Sequence, residues 1–154
     1  MKYIKQYVPH IIALAVSGIF LDSLRFKFTN HPNTQVIFGK LDAWAASLGV
    51  PGLFSTTGLF SQYIIGSAEL VAVILLVVGI HPKFRRLQGF GALLALAIMT
   101  AAISFHLFTP LGIDPNNDGG GLFVAAVAVW TGALVMAVTR RASIIETINK
   151  ILKK

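Results

Sequence analysis

The chain has 154 residues, 55% of them hydrophobic and only 12% charged, with a mean hydropathy of +0.75. That charged fraction is about half of what a soluble domain carries, too little to cover a water-facing surface, so the chain reads as an integral membrane protein. The absence of cysteine excludes disulfides, thiolate metal centres and iron–sulfur clusters, and the net charge of +7 sits at the flanks of apolar segments rather than forming a nucleic-acid surface.

The first apolar stretch covers residues 8–26 and follows Lys2 and Lys5. It continues past Ala13-Leu14-Ala15 and Ala15-Val16-Ser17, the only cleavage-like triplets, so a retained span is expected rather than a signal peptide. Asp22, Arg25 and Lys27 stand near its end. The connection over residues 29–62 is long for a compact helical protein. Within it, residues 34–48 place Val36, Ile37, Leu41, Trp44, Ala45 and Leu48 with helical spacing. This predicts an amphipathic helix at the outer membrane interface, with Asn33-Thr34 as its cap, Gly49-Val50-Pro51-Gly52 as its stop and Trp44 as its anchor.

The second span, residues 63–80, carries Glu69 inside an otherwise apolar run. A carboxylate at the centre of a spanning helix costs roughly 2.5–3.5 kcal/mol, so it is expected to have a partner or a job. The third span, residues 87–108, ends near Ser104 and His106. The connection after it contains Asp114, Asn116, Asp118 and Gly119 in the spacing of the first half of an EF-hand loop. Ala125 occupies the place of the closing glutamate, so a turn capping the next helix is favoured over calcium. The fourth span covers residues 121–138. Residues 139–154 form a basic tail, read as a separate amphipathic helix with Ile144, Ile145, Ile148, Ile151 and Leu152 turned inward.

The basic residues orient these spans. Lys2, Lys5, Lys83, Arg85, Arg86, Arg140, Arg141, Lys150, Lys153 and Lys154 fall on one side, against Arg25, Lys27 and Lys40 on the other, which places both termini in the cytoplasm. Glu69 then lies about 9 Å below the outer end of its span. Asp22, Arg25, Glu69, Ser104 and His106 converge on the outer leaflet, while the inner halves read as nearly pure hydrocarbon. Three readings of Glu69 stay open: an ion pair with Arg25 or Lys27 that pins two helices, a ligand or proton pocket, and an oligomer contact. No phosphate-binding loop, dinucleotide fingerprint or zinc-protease motif occurs.

Several short runs carry a resemblance. Gly18-Ile19-Phe20-Leu21 leads to Lys27-Phe28, and Leu48-Gly49-Val50-Pro51 precedes the second span. Ala68-Glu69-Leu70 is followed by Leu75-Leu76-Val77-Val78-Gly79-Ile80, and Ala101-Ala102-Ile103-Ser104-Phe105-His106 ends the third. Over residues 8–139 the chain resembles the DoxX-like family of small four-span bacterial membrane proteins. The resemblance implies an accessory subunit of a redox or respiratory-type system in the bacterial inner membrane, with Glu69 and Lys27 as polar landmarks. It leaves a quinone-reactive oxidoreductase subunit and a small oligomeric transporter as alternatives.

The expectation is thus an all-α, single-domain integral membrane four-helix bundle with an interfacial helix in its first outer connection. A quinone is the cofactor compatible with it. Membrane lipid, a second copy of the chain or a partner membrane subunit are the expected partners, with no role for nucleic acid.

Overall fold

The computed structural model describes residues 2–153, with side chains from Tyr7 onward. Lys2, Lys5 and Lys154, three of the cations used to orient the chain, therefore lie outside the described side chains. Five α-helices follow one another: α1 (Lys2–Phe28), α2 (Pro32–Ser47), α3 (Gln62–Val78), α4 (Arg85–Phe108) and α5 (Gly121–Leu152). A single 3-10 turn (Pro82–Phe84) leads into α4. All regular structure among the described residues is helical.

Three segments are long and apolar enough to cross a membrane: Tyr7–Phe28, Pro82–Phe108 and Gly121–Leu152. This is what an integral membrane protein requires, because a helix satisfies its own backbone in hydrocarbon. The α3 helix is equally apolar but has only 17 residues, a length of about 26 Å.

One core draws on four helices. Ala13, Val16 and Phe20 of α1 meet Ala72, Val73 and Leu76 of α3, Ala92, Ala95 and Met99 of α4, and Val129, Ala133 and Met136 of α5. Small residues let the backbones close in. A β-carbon added at Gly91 would stand 2.9 Å from Leu75 Cβ and 3.0 Å from Leu76 N, so α3 and α4 touch there. A second, smaller cluster joins Leu41 and Ala45 of α2 to Phe54 and Leu111 in the two long connections. It stands at the end of the molecule where α1 and α4 finish and α3 and α5 begin, here termed the α2 end.

Two expectations are corrected. The α2 helix forms where its apolar spacing predicts, but its cap is His31, whose Nδ1 accepts from Asn33 N at 3.2 Å, with Pro32 opening the first turn. The tail is not a separate helix: α5 runs unbroken through Arg140 and Arg141 to Leu152. Of the tail's apolar residues only Ile144 is buried, while Ile145, Ile148, Ile151 and Leu152 are exposed. No Gly or Pro follows Gly132, so nothing in the local sequence stops the helix.

Candidate functional site: a buried ion pair on the wall of an aromatic cavity

The site begins with how α1 ends. Asn30 adopts a left-handed conformation (φ 51°), and His31 N donates to Phe26 O at 3.0 Å while Asn30 N donates to Lys27 O at 3.3 Å. This is a Schellman stop, with asparagine in the position glycine usually takes. It leaves Lys27 in the last turn of α1, with its carbonyl and the Asn30 side chain facing α3.

There Gln62, the first residue of α3 and almost fully buried, donates from one amide nitrogen to Lys27 O and to Asn30 Oδ1, both at 2.9 Å. Four and seven residues on, Gly66 and Glu69 share the buried face of α3 with Gln62. Gly66 leaves the stem of Lys27 in ordinary van der Waals reach, since a β-carbon there would sit 3.5 Å from Lys27 Cδ. The three residues thus clamp, admit and neutralise one lysine.

Lys27 Nζ lies 3.1 Å from Glu69 Oε2, with the two side chains 14% and 3% exposed. The same ammonium donates to Ser23 Oγ, one turn earlier on α1. Oε2 is held by charge but takes no hydrogen bond of good direction within the described residues. The carboxylate is thus held by the Lys27 ammonium, with the Ser23 hydroxyl beside that ammonium.

What lies beside it is a cavity of about 440 Å³. Glu69, Lys27 and Ser23 form part of its wall, and phenylalanines 20, 26, 38, 54, 60 and 105 line it together with a larger set of aliphatic side chains. Cavities of this size, lined by aliphatic and aromatic side chains with convergent polar groups, are typical of small-molecule sites. The α2 helix and the connection over residues 49–61 close one side: Phe54 N donates to Asp42 Oδ1 at 2.9 Å, and the Phe54 ring packs edge-on to Phe105.

The other sequence-predicted residues divide. His106 lines the cavity and is buried, but its Nδ1 lies 2.6 Å from Gly112 O. A carbonyl can only accept, so Nδ1 carries a proton and is spent on this bond. Asp22 borders the cavity yet pairs with Arg25 at 2.9 Å in an exposed bridge, and Arg25 takes no part in the wall. Ser104 donates to Thr100 O of its own helix and is not part of the cavity. Asp114, Asn116 and Asp118 lie in the connection before α5, where Asn116 and Asp118 reach the cavity wall and Asp114 Oδ1 accepts from Asp118 N at 2.7 Å. Asp118 in turn caps α5, accepting from Gly120, Gly121 and Leu122 N–H groups at 3.0–3.1 Å. Among the described residues no group of three or more His, Cys, Asp or Glu side chains is placed to hold a metal ion.

Two residues of this arrangement escape the sequence. Ser23 stands one turn before Lys27, a spacing that could have revealed it. Gln62 reads as a loop residue ahead of an apolar run, and its partners are 32 and 35 residues away. The expectation of nearly pure hydrocarbon at the opposite end also fails. There Gln88 is fully buried between His10 and Arg140.

No protein-family model, no curated protein and no solved structure matches this chain.

Proposed function

We propose that the chain is a DoxX-like inner-membrane protein, an accessory subunit of a redox or respiratory-type membrane system, and that its cavity binds a ring-bearing amphipathic molecule of the quinone type. In this reading α1, α3, α4 and α5 are four spans of one bundle, α2 lies at the outer interface, and both termini are cytoplasmic. Their shared core and the excess of cations at the end opposite α2 support that arrangement. The short α3 is accommodated because it packs between α1 and α4 rather than standing alone in lipid.

The observation that carries the reading is the Lys27–Glu69 pair on the cavity wall. Removing two charges from water costs several kcal/mol each, and hydrocarbon-matched residues would pack as well. Its position beside an aromatic cavity gives it a second use. Lys27 can donate to a ring carbonyl, Glu69 can accept from a ring hydroxyl, and the phenylalanines can flank the ring plane. Those are the needs of a molecule that alternates between carbonyl and hydroxyl forms. The two residues that the family resemblance singles out are the two that meet here.

The test is a titration with a short-chain quinone, followed by tryptophan fluorescence. Trp44 packs 6.3 Å from Phe105 of the cavity, so in a Trp130→Phe background it reports on that site. Saturable quenching that disappears when Ala125→Phe fills the cavity is expected. Quenching that rises linearly with quinone, and identically in the filled variant, would sink the proposal.

A further inference from the structure

At the end of the helices away from the cavity, a second polar cluster ties α1, α4 and α5 together. Gln88 Oε1 accepts two N–H bonds from Arg140, at 2.7 and 3.1 Å, and Gln88 Nε2 lies 3.2 Å from His10 Nδ1. An arginine only donates, so the orientation of the buried amide is fixed: oxygen toward Arg140, nitrogen toward His10. The guanidinium of Arg140 is thereby held in place with donors to spare.

Arg85 stands three residues before Gln88 on α4, and so on the same side of that helix. Its charge is within Coulombic reach of both Arg140 and His10. Neither arginine has a carboxylate partner among the described residues. Asp22, Asp42, Glu69, Asp114 and Asp118 all belong to the α2 end of the molecule. Glu146, the remaining acid, is taken by Arg86 at 3.0 Å and Lys150 at 2.6 Å. Two cations on the same side of the bundle, one of them braced by a fully buried amide, are thus left without a carboxylate partner among the described residues. At the same end of α1 that carries His10, Tyr7, Ile11 and Leu14 form an exposed apolar stripe.

We propose that Arg85 and Arg140 form a binding site for the phosphate of an anionic phospholipid. Paired guanidinium forks match phosphate oxygens in geometry as well as charge. The exposed apolar side chains of α1 offer the acyl chains a surface continuous with the bilayer. An anionic lipid fits better than a zwitterionic one, because the cluster already holds two unbalanced positive charges. The site needs only that these helices lie in a bilayer, and is independent of what occupies the cavity at Glu69.

The experiment is native mass spectrometry of the full chain in detergent, titrated with phosphatidylglycerol and, separately, phosphatidylcholine. Phosphatidylglycerol should be retained and phosphatidylcholine should not. Arg85→Gln, a change at an exposed position, should lower retention about fivefold. Arg140→Lys, which keeps a donor for Gln88, should lower it to a similar degree because the fork is lost. Arg141→Gln removes the same charge one residue away and should leave retention unchanged. Equal losses in Arg85→Gln and Arg141→Gln would reduce the effect to diffuse surface charge and overturn the proposal. So would equal retention of the two lipids, or displacement of phosphatidylglycerol by inorganic phosphate at matched concentration.

Discussion

Lys27 of α1 and Glu69 of α3 form a buried ion pair across 42 residues of sequence, with the ammonium 3.1 Å from the carboxylate and a serine hydroxyl beside it. Neither position is arranged by local sequence alone. The Schellman stop at Asn30 fixes where α1 ends, Gln62 ties that end to the start of α3, and Gly66 gives the lysine stem its room. The pair is therefore positioned by three separate devices, each of which can be removed.

Breaking the pair should cost more than deleting it. Lys27→Met leaves an uncompensated buried carboxylate, and a loss of about 3–5 kcal/mol is expected. Lys27→Met combined with Glu69→Leu should recover most of that, since two apolar side chains suit the surroundings. Thermal unfolding in detergent across the double-mutant cycle measures the coupling. Equal stability of the wild type and the Lys27→Met single variant would show that the carboxylate is not held by the lysine.

Gly66 should tolerate a methyl group but not a branch. A β-carbon there meets Leu24, Lys27 and Phe28 at 3.5 Å, an ordinary contact, and alanine is the better helix former. Gly66→Ala is expected to be neutral or slightly stabilising. Gly66→Leu must displace the lysine stem, at a cost of about 1–3 kcal/mol. The comparison of melting temperatures for the two variants tests this directly, and similar values for both would remove Gly66 from the account.

How much of this was legible in the sequence follows from the physics of each element. The long apolar runs of α1, α4 and α5 announced themselves, because a membrane span has to be built from consecutive apolar residues. The α2 helix was legible from its spacing, although histidine as a cap was not. The continuity of α5 is not legible, because the apolar run gives way after Val138 to a basic tail while the helix itself continues. Charges set how deep a helix sits in a membrane, whereas only backbone chemistry stops it. Glu69 stood out because it was costly, but its partner did not. Arg25 and Lys27 are two residues apart, so they point to different sides of one helix, and only packing chooses between them. Gln88 went unread because a glutamine at the edge of an apolar run resembles any flanking residue until its partners, 52 and 78 residues away, are folded against it.

Asp118 should give a measurable pH dependence. Desolvation raises its pKa, but bonds from Leu122 N, with Asp114, and from Gly120 and Gly121 N outweigh this and hold the carboxyl below the usual range. A depressed folded-state pKa means that the capping contribution is complete above the unfolded pKa, about 4, and is lost as pH falls through the lower folded value. Wild type should exceed Asp118→Ala by about 0.5–2 kcal/mol at neutral pH. That margin should narrow only in acid below about pH 4. A margin that is already gone at pH 6 would mean that another group dominates.

The cavity and its ion pair can be tested together by extracting the protein with its native lipids and identifying the bound small molecules by mass spectrometry. Wild type, Glu69→Gln and Ala125→Phe should be compared at matched yield and stability. A ring-bearing molecule retained by wild type and absent from both variants is the predicted result. The same small-molecule complement in all three proteins would contradict the assignment of Glu69 and its cavity as a binding site.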